Sequence, residues 1–120
     1  MGDKSRIRRT ISRWANATEE EARHLRRTHA EEGFEQIGAA PDRVQVRLRG
    51  TLRTVTLRPR GGVPALEAEL NDGTGSVTVV WLGRRQIAGI MPGRSVSVQG
   101  RIGRHGSERI LFNPRYELIP

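Results

Sequence analysis

The sequence has no cysteine, few aromatic residues and no long hydrophobic run. Among its 120 residues the lack of cysteine excludes disulfides, thiolate metal sites and thiol nucleophiles. It fits a reducing compartment, and we expect a cytoplasmic protein. With 35% apolar and 4% aromatic residues, the chain can bury one modest core. Its apolar runs are too short for a membrane span or a signal peptide, so we expect no membrane contact.

The patterns that mark common enzymes are also missing. The three histidines are not spaced with an acid and a nucleophile, and they form no metal-ligand cluster. The glycines lie at predicted turns and bends, not in a phosphate-binding loop of the P-loop or dinucleotide kind. We therefore expect no catalytic residue, no metal and no cofactor, and predict that the protein is not an enzyme.

Acidic residues are scarce in the second part of the chain. Residues 1–42 carry eight basic and eight acidic residues, so the net charge of +8 lies entirely in residues 43–120. That part has thirteen arginines against five acidic residues. Such an excess attracts polyanions, nucleic acid first. Compositional bias would explain why arginine is preferred to lysine, but it would not explain the missing acids.

Residues 1–42 are predicted to form an N-terminal extension of one or two helices, with a domain boundary before residue 43. A first helix over residues 3–16 places Ile7, Ile11 and Trp14 on one face. This stripe predicts packing on the rest of the protein or on a second copy, with direct contact to nucleic acid or to a membrane as the less favoured alternative. We consider it the candidate surface for a protein partner or self-association.

A second helix is predicted from Thr18, which forms a capping box with Glu21, to about residue 32, where Gly33 ends it. Its apolar face is thin, which is typical of a solvated arm. His24 and His29 have no ligand partner nearby in the sequence, and we interpret both as surface residues.

Residues 65–82 predict a β-hairpin. Apolar residues alternate with polar ones in both arms, which indicates two half-buried strands, and residues 71–75 supply turn residues that tolerate positive φ. Residues 43–59 predict a long strand that bends just after Gly50, because the inward parity changes between Leu52 and Val55.

The rest of the chain predicts two further strands. Residues 95–102 form one, and residues 109–119 form the other, interrupted by Asn113-Pro114 because proline cannot donate to a central ladder. Residues 83–90 are a short connection, with one helical turn as an option, and residues 103–107 are a basic turn. The predicted fold is mainly β: a five-stranded barrel over residues 43–120.

This arrangement resembles an OB-fold of the anticodon-binding type, over roughly residues 43–119. Three segments carry the resemblance: Val46-x-Leu48-x-Gly50, Leu70-x-Asp72-Gly73-Thr74-Gly75-x-Val77-x-Val79 and Pro92-Gly93-x-x-Val96-x-Val98-x-Gly100. Modules of this type occur in class II aminoacyl-tRNA synthetases, in replication protein A-like single-strand binders and in the wedge of the RecG helicase. Segments 62–70, 80–85 and 111–118 also look like small stand-alone actinobacterial OB-fold proteins.

The resemblance implies a binding face on the second and third strands and on the loops after the first and fourth. Such modules often place stacking aromatics on those strands, whereas the outward positions here hold Glu67 and Val80. Glu67 and Glu69 would repel phosphate, accept hydrogen bonds from bases, or pair with Arg47 or Arg49. The predicted nucleic-acid-binding residues are Arg47, Arg49, Arg58, Arg60, Thr78, Val80, Trp81, Arg84, Arg85, Arg101 and Arg104.

Three of these predictions leave alternatives open. Trp81 shares its parity with Val77 and Val79, so a place in the core is favoured over a place on the binding face. The pair Arg84-Arg85 is either a phosphate contact or an ordinary solvated pair. Phe112 and Tyr116 are predicted as packing residues at the rim of the barrel.

The sequence thus predicts a non-catalytic protein that binds single-stranded or structured DNA or RNA, mainly through arginine–phosphate contacts. The alternative is a protein–protein interaction or assembly module that uses the barrel and the N-terminal helices.

Overall fold

The computed structural model describes residues 2–120, with side chains from residue 13 onward. The described residues form one long α-helix, one short 3-10 helix and seven β-strands. They are α1 (Gly2–His29), the 3-10 helix (Ile37–Ala39), β1 (Gln45–Leu57), β2 (Ala65–Asn71), β3 (Ser76–Leu82), β4 (Ser95–Arg101), β5 (Gly103–His105), β6 (Glu108–Phe112) and β7 (Arg115–Leu118). In the part of the chain that is described, no helix is long and apolar enough to cross a membrane.

The hairpin of β2 and β3 has the predicted strands and turn. Asn71 pairs with Ser76 at its closed end, and Ala65 pairs with Leu82 at its open end. The inward residues of both arms are at most 5% exposed. Gly73 has a φ of +87°, as the turn requires. The alternation therefore gave the correct faces over the whole hairpin.

β1 has the predicted bend. Its register with β2 shifts between Leu52 and Val55. Before the shift β1 pairs with β4 from Gln45 to Thr51, and after it β1 pairs with β2 as far as Leu57. One strand therefore belongs to two parts of the sheet, as a bulged strand can.

The sheet differs from the predicted five-stranded barrel, although the fold is mainly β as expected. Its strand order is β5-β6-β3-β2-β1-β4-β7, and no ladder between described residues joins the two end strands. The predicted basic turn over residues 103–107 is a small hairpin, because β5 pairs with β6. The predicted fifth strand is two strands: β6 is parallel to β3, and β7 is antiparallel to β4. They separate at Asn113-Pro114, where the break was predicted.

The predicted break between two N-terminal helices is wrong. α1 runs without interruption to His29, and the hydroxyl of Thr18 donates to the carbonyl of Trp14 at 2.9 Å instead of capping a new helix. A hydroxyl bonded four residues back is compatible with a helix interior. Of the predicted stripe, the side chains of Ile7 and Ile11 lie outside the described residues, and Trp14 is 77% exposed.

The last third of α1 docks on the sheet, so the predicted solvated arm is also wrong. Leu25 is buried, and Arg26 donates to the carbonyl of Gly73 at 3.1 Å. A Cβ on Gly73 would lie 2.1 Å from the carbonyl oxygen of Ala22, so the close approach of helix and turn requires glycine. His29, predicted to be a surface residue, is 5% exposed, and its Nε2 lies 2.8 Å from the hydroxyl of Thr51. The sequence pattern of α1 did not predict this contact, because even a narrow apolar helix face can pack against a small part of the sheet.

Candidate nucleic-acid interface

The bend in β1 gives the protein two outer surfaces of different character. The residues before the bend that point away from the core include Arg47 and Arg49, on the part of β1 that pairs with β4. The residues after the bend include Thr54 and Thr56, on the part that runs beside β2. Period-two alternation places each pair on the outside. The charge therefore changes along a single strand.

The surface after the bend is a groove of about 320 Å³. We call it the acidic groove, and its lining includes Thr54, Thr56, Glu67, Glu69, Thr78 and Glu108. The hydroxyl of Thr78 donates to Glu108 at 2.9 Å. Thr78 is thus on the predicted surface, but it is engaged by a carboxylate. Arg58 also lines the groove and lies beside Glu67, so the carboxylates of Glu69 and Glu108 are the ones that disfavour the approach of phosphate.

Glu67 is not the free outward carboxylate that the sequence suggested. It is 8% exposed, and it accepts a hydrogen bond from Nε of Arg60 while Nε of Arg58 lies 3.8 Å away. The predicted pairing of Glu67 with Arg47 or Arg49 is wrong, because the β1–β2 loop folds back over the start of β2. Most of the charge of Arg60 is therefore neutralised by Glu67 and is not available to a ligand.

Phe112 lies on the outside at this end of the sheet. It is 49% exposed, and the guanidinium of Arg60 is 5.7 Å from the centre of its ring. It sits opposite Val80, on the strand next to β3. Phe112 was predicted to pack at the rim of the barrel. The sequence does not show that β6 pairs with β3, which places Phe112 on the outside. The outer side of β6 thus carries an exposed aromatic ring with an arginine over it.

Val80 and Trp81 are both buried. Val80 was predicted to face outward, yet it is 0% exposed and packs with Ala65 and Ile110 in a small second cluster. Its outward parity is correct, but neighbouring residues cover it. Trp81 is 5% exposed and lies in the main core, so the favoured alternative for it is confirmed. Its ring meets that of Tyr116 edge to face at 5.5 Å.

The surface before the bend is formed by β1, β4 and β7. We call it the arginine face, and its outward residues are Gln45, Arg47, Arg49, Ser97, Gln99, Arg101, Arg115 and Glu117. Gln99 of β4 lies directly opposite Arg47 on one side and Arg115 on the other. Adjacent strands are about 4.8 Å apart, so these two arginines are about 10 Å apart along the row. This face therefore presents cationic groups at regular positions.

The structure divides the eight predicted arginines into two groups of four. Four have an acidic partner within 4 Å: Arg49 with Glu31, Arg58 and Arg60 with Glu67, and Arg104 with Asp42. The other four have no acidic partner among the described residues: Arg47, Arg84, Arg85 and Arg101. Exposed cations without an internal partner are the ones most available to phosphate.

Arg84 and Arg85 lie in the connection between β3 and β4, where both are exposed. This connection has no helical turn, so that option for residues 83–90 is wrong. Arg101 is exposed at the end of β4. Arg84 and Arg85 thus follow the open end of the hairpin, whereas Arg101 belongs to the arginine face.

Sequence reasoning missed Phe34 and Arg115. Phe34 lies in the connector after α1, and the guanidinium of Arg47 stands 4.6 Å from the centre of its ring. Arg115 is exposed on β7. The alternation of Arg115 and Glu117 hinted at an outward position, but the partner strand of β7 was not predictable. Nothing in the sequence places a connector residue over β1.

Two side chains hold the connector in place. Asp72 is 5% exposed, and one of its oxygens accepts from the backbone N–H of Ile37 at 2.9 Å. Its other oxygen accepts from the backbone N–H and the hydroxyl of Thr74, at 2.9 and 2.6 Å. Arg109 donates to the carbonyls of Ile37 and Ala40, both at 2.8 Å. Arg109 is therefore a structural residue, and the position of Phe34 follows from this anchoring.

Two titratable groups near the site are perturbed. The hydrogen bond from Arg104 holds the pKa of Asp42 below its usual range. Burial lowers the pKa of His29, and the nearby charge of Arg49 lowers it further, while Asp72 acts in the opposite direction. Asp42 is thus anionic at pH 7 and partly neutralises the charge of Arg104. His29 is neutral at pH 7. No group of three or more metal-ligating side chains is found in the described part of the chain.

Comparison with known families shows that residues 46–119 match the family model described as the OB-fold nucleic acid binding domain, of the tRNA anticodon-binding type. The chain belongs to this family. The resemblance predicted over residues 43–119 is thereby confirmed at the level of the family and its fold. No curated protein matches the chain.

Two solved structures with the OB-fold support the same architecture. One is RecG bound to a three-way DNA junction, with a TM-score of 0.59 and 18% identity over 72% of this chain. The other is a replication protein A heterotrimer bound to single-stranded DNA, with a TM-score of 0.52 and 16% identity over 75% of this chain. The match covers 12% of the RecG chain and 68% of the replication protein A chain. At these identities the likeness concerns the fold.

Proposed function

We propose that this OB-fold protein is a non-catalytic nucleic-acid-binding module that holds single-stranded or structured DNA or RNA through arginine–phosphate contacts. The observation that carries the proposal is the set of exposed arginines without acidic partners at strand ends and loops, in the part of the chain that holds the whole +8 charge. Membership of a nucleic-acid-binding family and the DNA-bound state of two structural neighbours support it. In this proposal residues 43–120 form the binding domain and residues 1–42 its extension.

The phosphate contacts are assigned to Arg84 and Arg85 after the open end of the hairpin and to Arg101 on the arginine face. The acidic groove's carboxylates keep phosphate off the hairpin's outer surface, while its hydroxyls and carboxylates can bond to base edges. Arg49, Arg58, Arg60 and Arg104 take a smaller part, because each would have to leave an ion pair to bind phosphate.

Fluorescence anisotropy with a labelled 12-mer single strand and its duplex, as DNA and as RNA, tests the proposal. We expect binding at low salt that weakens steeply as salt is added, since each phosphate contact releases a counterion. The double variant Arg84→Ala/Arg85→Ala should weaken binding for every sequence and reduce the salt slope by about 2.

The double variant Arg13→Ala/Arg27→Ala is the matched control, because both residues are exposed on α1 and have no acidic partner among the described residues. It removes the same charge and should weaken binding less. If none of the four probes binds at low salt, the proposed function is refuted. Equal weakening by the two double variants would refute the assignment of Arg84 and Arg85.

A second candidate function, self-association or docking of a protein partner, is favoured by one observation. Trp14 is 77% exposed on α1, far from the docked end of that helix. A large exposed apolar side chain is typical of an interaction site. Light scattering of the wild type and of Trp14→Ala across a concentration series tests it: a monomer at every concentration in both would exclude self-association.

A further inference from the structure

The arginine face carries a second feature besides its charge, a groove of about 460 Å³. Phe34, Arg47, Gln99, Arg115 and Tyr116 are among its lining residues. It shares no lining residue with the acidic groove. Its volume is in the range of small-ligand sites, about 300–1,000 Å³. The protein thus has a separate concave site on the opposite side of the β1 bend.

The groove combines an aromatic ring with cations. The guanidinium of Arg47 lies over the ring of Phe34, 4.6 Å from its centre, and Gly33 next to Phe34 adopts a φ of +90°, which favours glycine. A guanidinium that lies over one ring can stack on a second planar group with its other side. Phe34 is half-buried, so its ring also offers part of its surface, whereas the ring of Tyr116 packs against Trp81. Planar groups of this kind stack on nucleic-acid bases.

The polar groups of the groove lie in one row across three strands. Gln99, between Arg47 and Arg115, can donate and accept hydrogen bonds, and it is exposed. Neither Arg47 nor Arg115 has an acidic partner among the described residues; Glu117 is the one carboxylate of the groove and belongs to the next row. The row therefore offers a base-edge partner flanked by two arginines, of which Arg47 can stack on a base and Arg115 can contact a phosphate.

We propose that this groove is a subsite for an unpaired nucleotide of a bound single strand. The base stacks on the Arg47–Phe34 pair, Gln99 meets the base edge, and Arg115 contacts a flanking phosphate. A duplex keeps its bases stacked and cannot fill the subsite. The inference rests on the proposed nucleic-acid binding and adds a site outside the hairpin surface and its loops, which includes a residue of the N-terminal connector. It also gives the extension a role in recognition.

Anisotropy titrations at low salt, with a 12-mer single strand and the matching duplex, test the subsite. Phe34→Leu keeps an apolar side chain for packing but removes the ring, and should weaken single-strand binding about tenfold while leaving duplex binding unchanged. Phe34→Tyr should restore wild-type affinity. Arg115→Ala should weaken single-strand binding by more than the control Arg27→Ala, which removes one exposed charge on α1. Circular dichroism would verify that each variant is folded.

The outcomes separate this inference from the function on which it rests. If the wild type binds no probe, the proposed function fails and the subsite fails with it. If the wild type binds and Arg84→Ala/Arg85→Ala weakens binding, but Phe34→Leu and Arg115→Ala bind like the wild type, the subsite is overturned and the function stands. Equal weakening of single-strand and duplex binding by Phe34→Leu would also overturn it, since stacking requires an unpaired base.

Discussion

The two outer surfaces of β1 differ in how their charged residues are used. On the surface after the bend, Glu67 is buried and forms ion pairs with Arg60 and Arg58, so these opposite charges neutralise each other. Before the bend, Arg47 and Arg115 lie in one row with Gln99 between them, and neither has an acidic partner among the described residues. Arginine therefore serves two uses: Arg58 and Arg60 stabilise the fold after the bend, as Arg49 does with Glu31 before it, whereas Arg47 and Arg115 remain available for a ligand. Counting arginines does not distinguish these two uses.

The largest expected effect comes from Asp72, which holds the connector that carries Phe34 to the arginine face. Asp72→Ala removes three hydrogen bonds from a buried carboxylate and should lower the free energy of unfolding by roughly 3 kcal/mol. Urea denaturation followed by tryptophan fluorescence measures this. Glu32→Ala is the control, because it removes an exposed carboxylate, and its effect should be much smaller. A loss of equal size in both variants would show that Asp72 does not anchor the connector.

A smaller effect is expected from neutralising the acidic groove. Glu69→Gln/Glu108→Gln removes two carboxylates from a surface that disfavours phosphate, and should raise the affinity for a single-stranded 12-mer about threefold at low salt. Glu20→Gln/Glu32→Gln makes the same change in net charge on exposed positions outside the sheet. Lower affinity in the groove variant would mean that these carboxylates accept hydrogen bonds from bases. They would then favour nucleic-acid binding and not oppose it.

The pH dependence of stability should report His29, which docks α1 against Thr51 near the bend. Its pKa is lowered in the folded protein by burial first and by Arg49 second, so the unfolded chain binds a proton more readily. Its contribution to stability is complete above the unfolded pKa of about 6.5 and is lost as the pH falls through that value toward the lower folded pKa. Exposed His24 and nearby Asp72 are the other titratable groups that face it.

Urea denaturation at several pH values between 8 and 5 measures this dependence. His29→Gln should show a flatter decline of unfolding free energy than the wild type, and the control His24→Gln should decline like the wild type. An identical decline in all three proteins would exclude His29 as the responsible group.

The smallest effect is expected from Arg104, which was predicted to contact nucleic acid and is paired with Asp42. Asp42→Asn frees the guanidinium and should raise single-strand affinity by at most about twofold, since one exposed charge near the loop is screened by salt. The lowered pKa of Asp42 keeps the wild-type pair intact down to acidic pH, so its binding should not change between pH 8 and 6 through this pair. Anisotropy at both pH values tests this.

Local patterns predicted most of the strands. The alternation in residues 65–82 gave the inward faces of β2 and β3, and the change of parity after Leu52 gave the bend in β1. These features depend on neighbours in the sequence, because the side chains of a strand alternate whatever the strand pairs with. The same local reasoning failed at the helix, where Thr18 continues α1 and does not begin a second helix, and at His29, which a distant strand covers.

The sequence by itself determined the family, most of the strands and the basic character of residues 43–120. The tertiary structure decided which charges remain available, because ion pairs such as Arg49 with Glu31 and Arg104 with Asp42 join residues 18 and 62 positions apart. It also decided that Val80 is covered, that Phe112 is exposed, and that Phe34 stacks with Arg47. Each of these contacts requires strand pairing or loop closure over many residues, whose outcome depends on the free energy of the whole fold and not on any local pattern.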